Sequence, residues 1–186
     1  MRYLESERLL LKPVEEDDIY KLLEIRWDKD VMEYSLHEPI SKQEQLEWYK
    51  SLSMKDLVLS VFFKGNDLKL IGTIGLYEIN MRHQRAVFRM RLDKSCQGKG
   101  IGYEAGRMLM EYGFNVLNLQ KIVGYQFSEN KAAVTFCQRL GFKEEGLLRQ
   151  HYYQHGKFRN VSYVGLLKED FFKAIEEIDK KKKEKE

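Results

Sequence analysis

The chain has 186 residues, 43% hydrophobic and 33% charged, which suits one domain whose core needs neither disulfides nor a structural metal. Its formal net charge is +3, and the last seven residues, Lys180 to Glu186, hold five lysines and two glutamates that account for all of it. A body that balances its own charges lacks the basic surplus typical of nucleic-acid binders. Cys96 and Cys137 read as free thiols of a reducing compartment, and no cysteine or histidine pair has metal-ligand spacing. Met1 to Leu11 lack the apolar core of a signal peptide, and no run approaches the ~20 apolar residues of a membrane span. The expectation is a cytoplasmic protein with one domain over 1–179 and a solvated, frayed lysine-rich end over 180–186. No metal, nucleic-acid or membrane partner is expected.

Leu9, Leu10 and Leu11 before Pro13 predict a strand ending at a turn. Glu15, Glu16, Asp17 and Asp18 then open a helix, where carboxylates suit the positive end of the dipole. Ile19, Leu22, Leu23 and Ile25 supply its apolar face, and Glu38-Pro39 breaks the pattern. Ser41, with Glu44 three positions on, has the form of a capping box. The helix behind it carries Leu46, Trp48 and Tyr49 to about Leu52. Leu57 to Lys64 and Leu68 to Glu78 predict strands joined by a Gly65-Asn66 turn. After a connection at Asn80 to His83, Arg85 to Asp93 alternates. Ala86, Phe88, Met90 and Leu92 face one way, and Arg85, Val87, Arg89 and Arg91 the other. A loop over Lys94 to Gly98 leads into a helix from Lys99 to Val116. Lys121 to Phe127 is a predicted strand and Asn130 to Arg139 a helix that Gly141 ends. Phe142 to Gln150 and Phe158 to Leu167 predict two strands about a turn at His155-Gly156-Lys157. A closing helix runs from Lys168 to about Lys180. With no repeat and no linker, this order predicts an α/β or α+β layer on a mixed sheet.

The most informative segment is Gln97-Gly98-Lys99-Gly100-Ile101-Gly102, between a strand and a helix. Glycines let backbone amides approach a ligand, and a helix start offers unpaired N–H groups and a positive dipole. Together they form a nest for a pyrophosphate, with Lys99 adding charge at the rim. On these six residues alone, a glycine-rich turn without a ligand is an equal reading. The spacing fits neither a P-loop nor a Rossmann fingerprint.

Gln97-x-x-Gly100-x-Gly102 resembles the pyrophosphate loop of the GNAT superfamily of N-acetyltransferases. Asn130-Lys131-Ala132-Ala133 to Leu140-Gly141-Phe142 resembles the second signature of that superfamily. The segments Glu78-Ile79-Asn80, His83-x-Arg85-Ala86-x-Phe88 and Phe114-x-Val116-Leu117-Asn118-Leu119-x-Lys121-Ile122 are similar to its spermidine and ribosomal-protein N-terminal acetyltransferase branch. The resemblance covers about residues 7 to 167. It implies a GNAT fold: a mixed, mostly antiparallel central sheet, splayed at the middle and flanked by helices. It also implies acetyl-CoA as co-substrate and direct attack on the thioester by a primary amine of a small molecule, such as a polyamine or an amino sugar. Two alternatives stand beside it: a protein N-terminal acetyltransferase, and an acyl-CoA-binding module without turnover.

Acetyl transfer needs a deprotonated amine, a polarised thioester carbonyl, reactants held within ~3–3.5 Å and a proton for the leaving thiolate. The resemblance lays the pantetheine arm along Arg89 to Leu92, paired with the backbone of Met90, Arg91 and Leu92, one N–H of which would steady the carbonyl oxygen. The pyrophosphate would sit on Gln97, Gly98, Lys99, Gly100, Ile101 and Gly102. Glu78 is the candidate base, or an attractor for a cationic amine. Asn130 caps its helix and touches the arm, with Ala133 beside it and Phe136 against cofactor or core. Cys137 stands where many relatives carry a tyrosine general acid, so it is either the acid or buried packing. Tyr103, Tyr125 or water are the other proton sources. Trp27, Tyr34, Trp48 and Tyr49 shape an acceptor pocket or a helix core. Glu33, Glu38 and Glu44 are candidates to hold a polyamine. His151, Tyr152 and Tyr153 face either the acceptor or the partner of a homodimer or larger homo-oligomer.

Overall fold

The computed structural model describes residues 4–35 and 39–184, so the Glu38 assignment lies outside the described residues. The strands are β1 (Leu4–Glu5), β2 (Leu9–Pro13), β3 (Leu57–Lys64), β4 (Leu68–Asn80), β5 (Arg85–Leu92), β6 (Lys121–Phe127), β7 (Lys143–Gln154) and β8 (Lys157–Leu167). The helices are α1 (Ile19–Trp27), α2 (Lys29–Met32), α3 (Lys42–Ser51), α4 (Ile101–Asn115), α5 (Lys131–Leu140) and α6 (Lys168–Lys183). Short 3-10 turns at Glu16–Asp18 and Lys94–Cys96 lead towards α1 and α4. The strands form one sheet in the order β1-β2-β3-β4-β5-β6-β8-β7. Every pairing is antiparallel except β5 with β6.

The alternation along β5 sorts its side chains between two cores. Ala86, Phe88, Met90 and Leu92 join the larger core under α4, α5 and α6, with Leu109, Met110, Phe114 and Phe171 at its centre. Each of the four central side chains contributes ~1.5–3 kcal/mol of burial. On the opposite face α1 and α3 cover a smaller core of Val14, Ile19, Leu22, Val58, Phe62 and Leu70. The Ser41–Glu44 capping box forms as expected, with Glu44 N–H donating to Ser41 Oγ at 3.1 Å and Ser41 N–H to Glu44 Oε2 at 2.7 Å.

Several boundaries differ from the sequence expectation, each for a local reason. The α2 turn is opened by Asp28, whose Oδ1 accepts from Asp30 and Val31 N–H groups. Strand β4 continues two residues past Glu78, because the chain absorbs Glu78 and Ile79 as a bulge between the pairs Tyr77↔Val87 and Asn80↔Arg85. Strand β7 likewise runs past an irregularity between Leu148 and Tyr152 to a two-residue turn at His155-Gly156, both at positive φ. Helix α6 extends to Lys183, into the expected tail. Among the described residues, no helix is long and apolar enough to cross a membrane.

The junction of β5 and β6 positions the candidate site. Strands β5 and β6 pair only at Arg85↔Lys121, Ala86↔Ile122 and Val87↔Val123. Beyond those pairs β5 stays with β4 to Leu92, and β6 stays with β8 to Phe127. The sheet parts there and leaves one edge of β5 open.

Candidate active site

The open edge presents defined main-chain groups. Asp93 N–H donates to Ile71 O at 2.8 Å. Antiparallel pairing alternates which residues bond the neighbour. Arg91 and Arg89 therefore turn their main-chain groups to β4, while Met90 and Leu92 turn theirs into the split. This corrects the expectation for Arg91, whose backbone is spent on Thr73. Met90 and Leu92 remain to pair with an extended guest.

At the foot of this edge stands the glycine loop. Gly98 and Gly100 adopt φ of 71° and 73°, a left-handed conformation that favours glycine. Gly100 caps α4 without a side-chain hydrogen bond, and Glu104 N–H donates to Gly100 O at 3.0 Å. The N–H groups from Gly98 to Tyr103 take part in no hydrogen bond among the described residues. Such a run of unpaired donors at the positive end of a 15-residue helix attracts anions. Gly102 lies against Met90 and Leu92, so the cradle opens directly onto the split; a Cβ there would sit 3.4 Å from Met90 Cε.

Arg8 braces the loop and had no signal in the sequence. Its guanidinium donates to Lys99 O at 3.1 Å and, through Nε, to Glu104 Oε2 at 2.8 Å. Ser6 Oγ adds a bond to Glu104 Oε1 at 2.6 Å. The partners lie more than 90 residues apart, and no periodic pattern links positions so distant.

Glu78 occupies the β4 bulge at φ 54°, its N–H donating to Asp56 Oδ1 at 3.1 Å. Its carboxylate lies 3.5 Å from Arg89 Nη2 and is largely exposed. Tyr125, on β6 past the split, stands close enough that Glu78 helps raise its phenol pKa, after burial and Tyr163. Tyr103 instead packs its ring 4.3 Å under the Arg139 guanidinium, where burial raises its pKa.

Cys137 is buried in the larger core and donates to Gln126 Oε1 at 3.2 Å. Desolvation pushes its thiol up to about 12. Its burial and its bond to Gln126 fit the packing reading of Cys137 better than that of a general acid. Cys137→Ala is expected to leave the pH–rate profile unchanged from pH 6 to 9. The raised pKa also carries a stability signature. Above its ordinary value of ~8.5 the unfolded chain releases this proton while the folded chain keeps it. Wild-type stability should thus fall towards pH 12, by at most ~1.4 kcal/mol per pH unit from this group, and Cys137→Ala should lose that slope in urea titrations.

Asn130 caps α5, its Oδ1 accepting from Ala133 N–H at 3.1 Å, and Gly141 ends the helix at φ 91°. Phe136 stacks on Phe88 with ring centroids 5.7 Å apart, which places it in the core beside the split.

The carboxylates proposed for a polyamine are already engaged. Glu33 lies 3.6 Å from the buried Arg159 guanidinium and 3.3 Å from His155. Arg159 also donates to Glu129 Oε1, Gln154 Oε1 and Glu33 O, and it packs on Phe127 and Tyr34. This network stitches the segment after α2 to β8, across the split. Glu44 spends its carboxylate on Ser41. Trp27 donates from Nε1 to Ile40 O at 3.0 Å, and with Tyr34 it remains partly exposed on this face. Tyr152 packs edge-on to Phe127, while Tyr153 meets Phe158 on the outer hairpin.

Between α1, α3 and the β4–β5 pair lies a cavity of about 300 Å³. Its lining includes Arg26, Arg89, Arg91, Glu44, Trp48 and Tyr77. Burial, then the charge of Arg26, lowers Arg91 to about 10, and burial lowers Arg26 as well. Sequence alternation put Arg89 and Arg91 on one face of β5. It carried no sign that Arg26 would meet them there.

The family model described as Acetyltransferase (GNAT) domain matches residues 8–143. A spermidine N(1)-acetyltransferase of Escherichia coli K12 is 32% identical over 151 residues, 81% of each chain. The putative ribosomal N-acetyltransferase YdaF of Bacillus subtilis is 30% identical over 105 residues, 56% of this chain and 57% of its own. The crystal structure of spermidine N-acetyltransferase from Vibrio cholerae in complex with CoA and spermine superposes with a TM-score of 0.81 at 28% identity, covering 90% of this chain and 99% of the other. With its parted sheet, its glycine cradle and this match over most of its length, the chain belongs to the GNAT acetyltransferase family.

Proposed function

We propose that this protein transfers the acetyl group of acetyl-CoA to a primary amine of a small molecule in the cytoplasm. The observation that carries the reading is the row of unpaired amides from Gly98 to Tyr103 at the foot of the open β5 edge. The cradle suits the diphosphate, and the edge at Met90 and Leu92 suits the amides of the pantetheine arm. Relatives of the chain are named for spermidine, which makes a polyamine the first acceptor to assay.

In this reading the amine nitrogen attacks the thioester carbonyl carbon; a C–N bond forms and the C–S bond breaks. A main-chain N–H of the open edge meets the oxygen as negative charge develops on it. The proton lost by the amine passes to Glu78, directly or through water, with Arg89 beside that carboxylate at 3.5 Å. The departing thiolate takes a proton from Tyr125 or from solvent, since Cys137 does not supply it.

Thiol release from acetyl-CoA across a panel of polyamines, amino sugars and peptides tests the proposal. Glu78→Gln should lower kcat by ~10²-fold or more, the usual worth of a general base, with acetyl-CoA affinity by calorimetry unchanged. Unchanged kcat would retire Glu78 as the base. Tight acetyl-CoA binding with no turnover on any amine would favour the silent binding module, which the missing tyrosine at Cys137 keeps in play.

A further inference from the structure

The acceptor-side cavity has a charge that its proposed use leaves unexplained. Arg26, Arg89 and Arg91 line it, against a single carboxylate, Glu44. Arg89 is accounted for, since it lies over the Tyr77 ring at 4.7 Å and pairs with Glu78 at 3.5 Å. Arg26 and Arg91 have no carboxylate within ion-pair distance among the described residues. Among the described residues Arg26 Nε is buried without a hydrogen-bond partner, and the sole bond of the Arg91 guanidinium is a long one, 3.4 Å, to Ser35 Oγ. Glu44 offsets part of the Arg26 charge, but among the described residues it forms no ion pair with Arg26 or Arg91, and its Oε2 is held by the Ser41 N–H in the capping box.

Two guanidiniums sharing one cavity repel each other and lose hydration. Charges half withdrawn from water without ion-pair partners are destabilised, and a bound anion removes that cost. Arginine is also the side chain best shaped to grip carboxylate or phosphate in a two-point fork. A polyamine is a poor fit to this lining, since its ammonium groups would meet like charge.

The pyrophosphate of the donor does not answer for these arginines. Alternation along β5 sends Met90 and Leu92 to the α4 face with the glycine loop, and Arg89 and Arg91 to the α1–α3 face with the cavity. The strand therefore separates two anion-attracting places, one for the donor and one on the side where the acceptor enters. At about 300 Å³ the cavity is at the small end of ligand pockets, which suits a single acidic group with a short body.

We infer that the acceptor is an amine that also carries a carboxylate or phosphate, held between Arg26 and Arg91 while its amino group reaches the open edge of β5 beside Glu78. The inference rests on the acetyl-transfer reading for the amine and on the cavity alone for the anion, so the two are tested separately.

The test uses matched amines on the full chain with acetyl-CoA. One pair is 4-aminobutanoate against n-butylamine, which isolates a carboxylate. The other is glucosamine 6-phosphate against glucosamine, which isolates a phosphate. Spermidine is the unacidic reference. Expected is a kcat/KM at least about tenfold higher for the acidic member of one pair, the pair identifying the anion. Arg91→Gln and Arg26→Gln should each bring that ratio close to one, and Arg91→Lys should restore part of it. Calorimetric binding of the acidic amines, without acetyl-CoA, gives a readout independent of turnover, and circular dichroism shows that each variant is folded. Binding that Arg91→Gln abolishes, with no turnover of any amine, upholds the anion site and overturns the transfer reading. Equal or better turnover of spermidine and the neutral amines, or no selective binding of either acidic amine, overturns the anion site.

Discussion

Gly100→Glu is expected to abolish measurable acetyl-CoA binding while the protein stays folded. The new carboxylate would stand at the N-terminus of α4, inside the row of amides from Gly98 to Tyr103. At ~4 Å from a phosphate, like charges repel by about 4 kcal/mol at an effective dielectric of 20, which is near a thousandfold in affinity. The left-handed backbone at Gly100 adds about 1 kcal/mol of strain for any residue with a Cβ. Gly100→Ala separates the two effects. Its Cβ would meet only Arg8 Nη2, at an ordinary 3.8 Å, so it carries the strain without the charge. Calorimetry with acetyl-CoA should therefore show a loss of at least ~100-fold for Gly100→Glu and less than about tenfold for Gly100→Ala. Equal effects would mean that no phosphate sits on this loop.

Gly72→Ala is expected to be the most destabilising single methyl that could be added to the sheet. A Cβ there would lie 2.1 Å from Arg91 O and 2.8 Å from Leu92 Cα, both main-chain atoms of β5 that cannot swing aside. The backbone φ of 148° is itself unfavourable for an L side chain. Relief requires β5 to shift away from β4, at a cost of ~3 kcal/mol or more. For a chain of this length that lowers Tm by ~6–12 °C. The displaced residues carry the open edge and the Arg91 side chain, so the KM for acetyl-CoA should rise as well. Gly146→Ala is the comparison, because nothing lies within 4 Å of its Cβ and its φ is not positive; its effect should stay within ~0.5 kcal/mol. A melting temperature of Gly72→Ala equal to that of Gly146→Ala would show that β4 and β5 do not meet as described.

Elements read from contiguous chemistry came out close to their true bounds. The strands Leu57–Lys64 and Lys121–Phe127 were legible because hydrophobic, β-branched runs bounded by turns act locally. The capping box at Ser41 and the caps at Asn130 and Gly141 were legible because a cap is made within four residues. The same holds for the glycine loop, whose conformation depends on residues that follow one another. What was not legible depends on distant partners: β1, the bulge at Glu78, the Arg8–Glu104 brace and the Arg159 network.

Cys137 and Arg91 mark the boundary between the two kinds of knowledge. Composition, alternation and turn chemistry were enough to place a helix-capping glycine cradle after an alternating strand, while the donor it would hold came from the resemblance to the GNAT superfamily. They could say that a thiol stood at position 137 and an arginine at 91, but not how deep either lay. The tertiary fold set those depths by parting β5 from β6 and closing α1 and α3 over the other face. Depth governs what such groups do, because a charge or a proton is stabilised by its surroundings, and those surroundings are assembled from residues far apart in the chain.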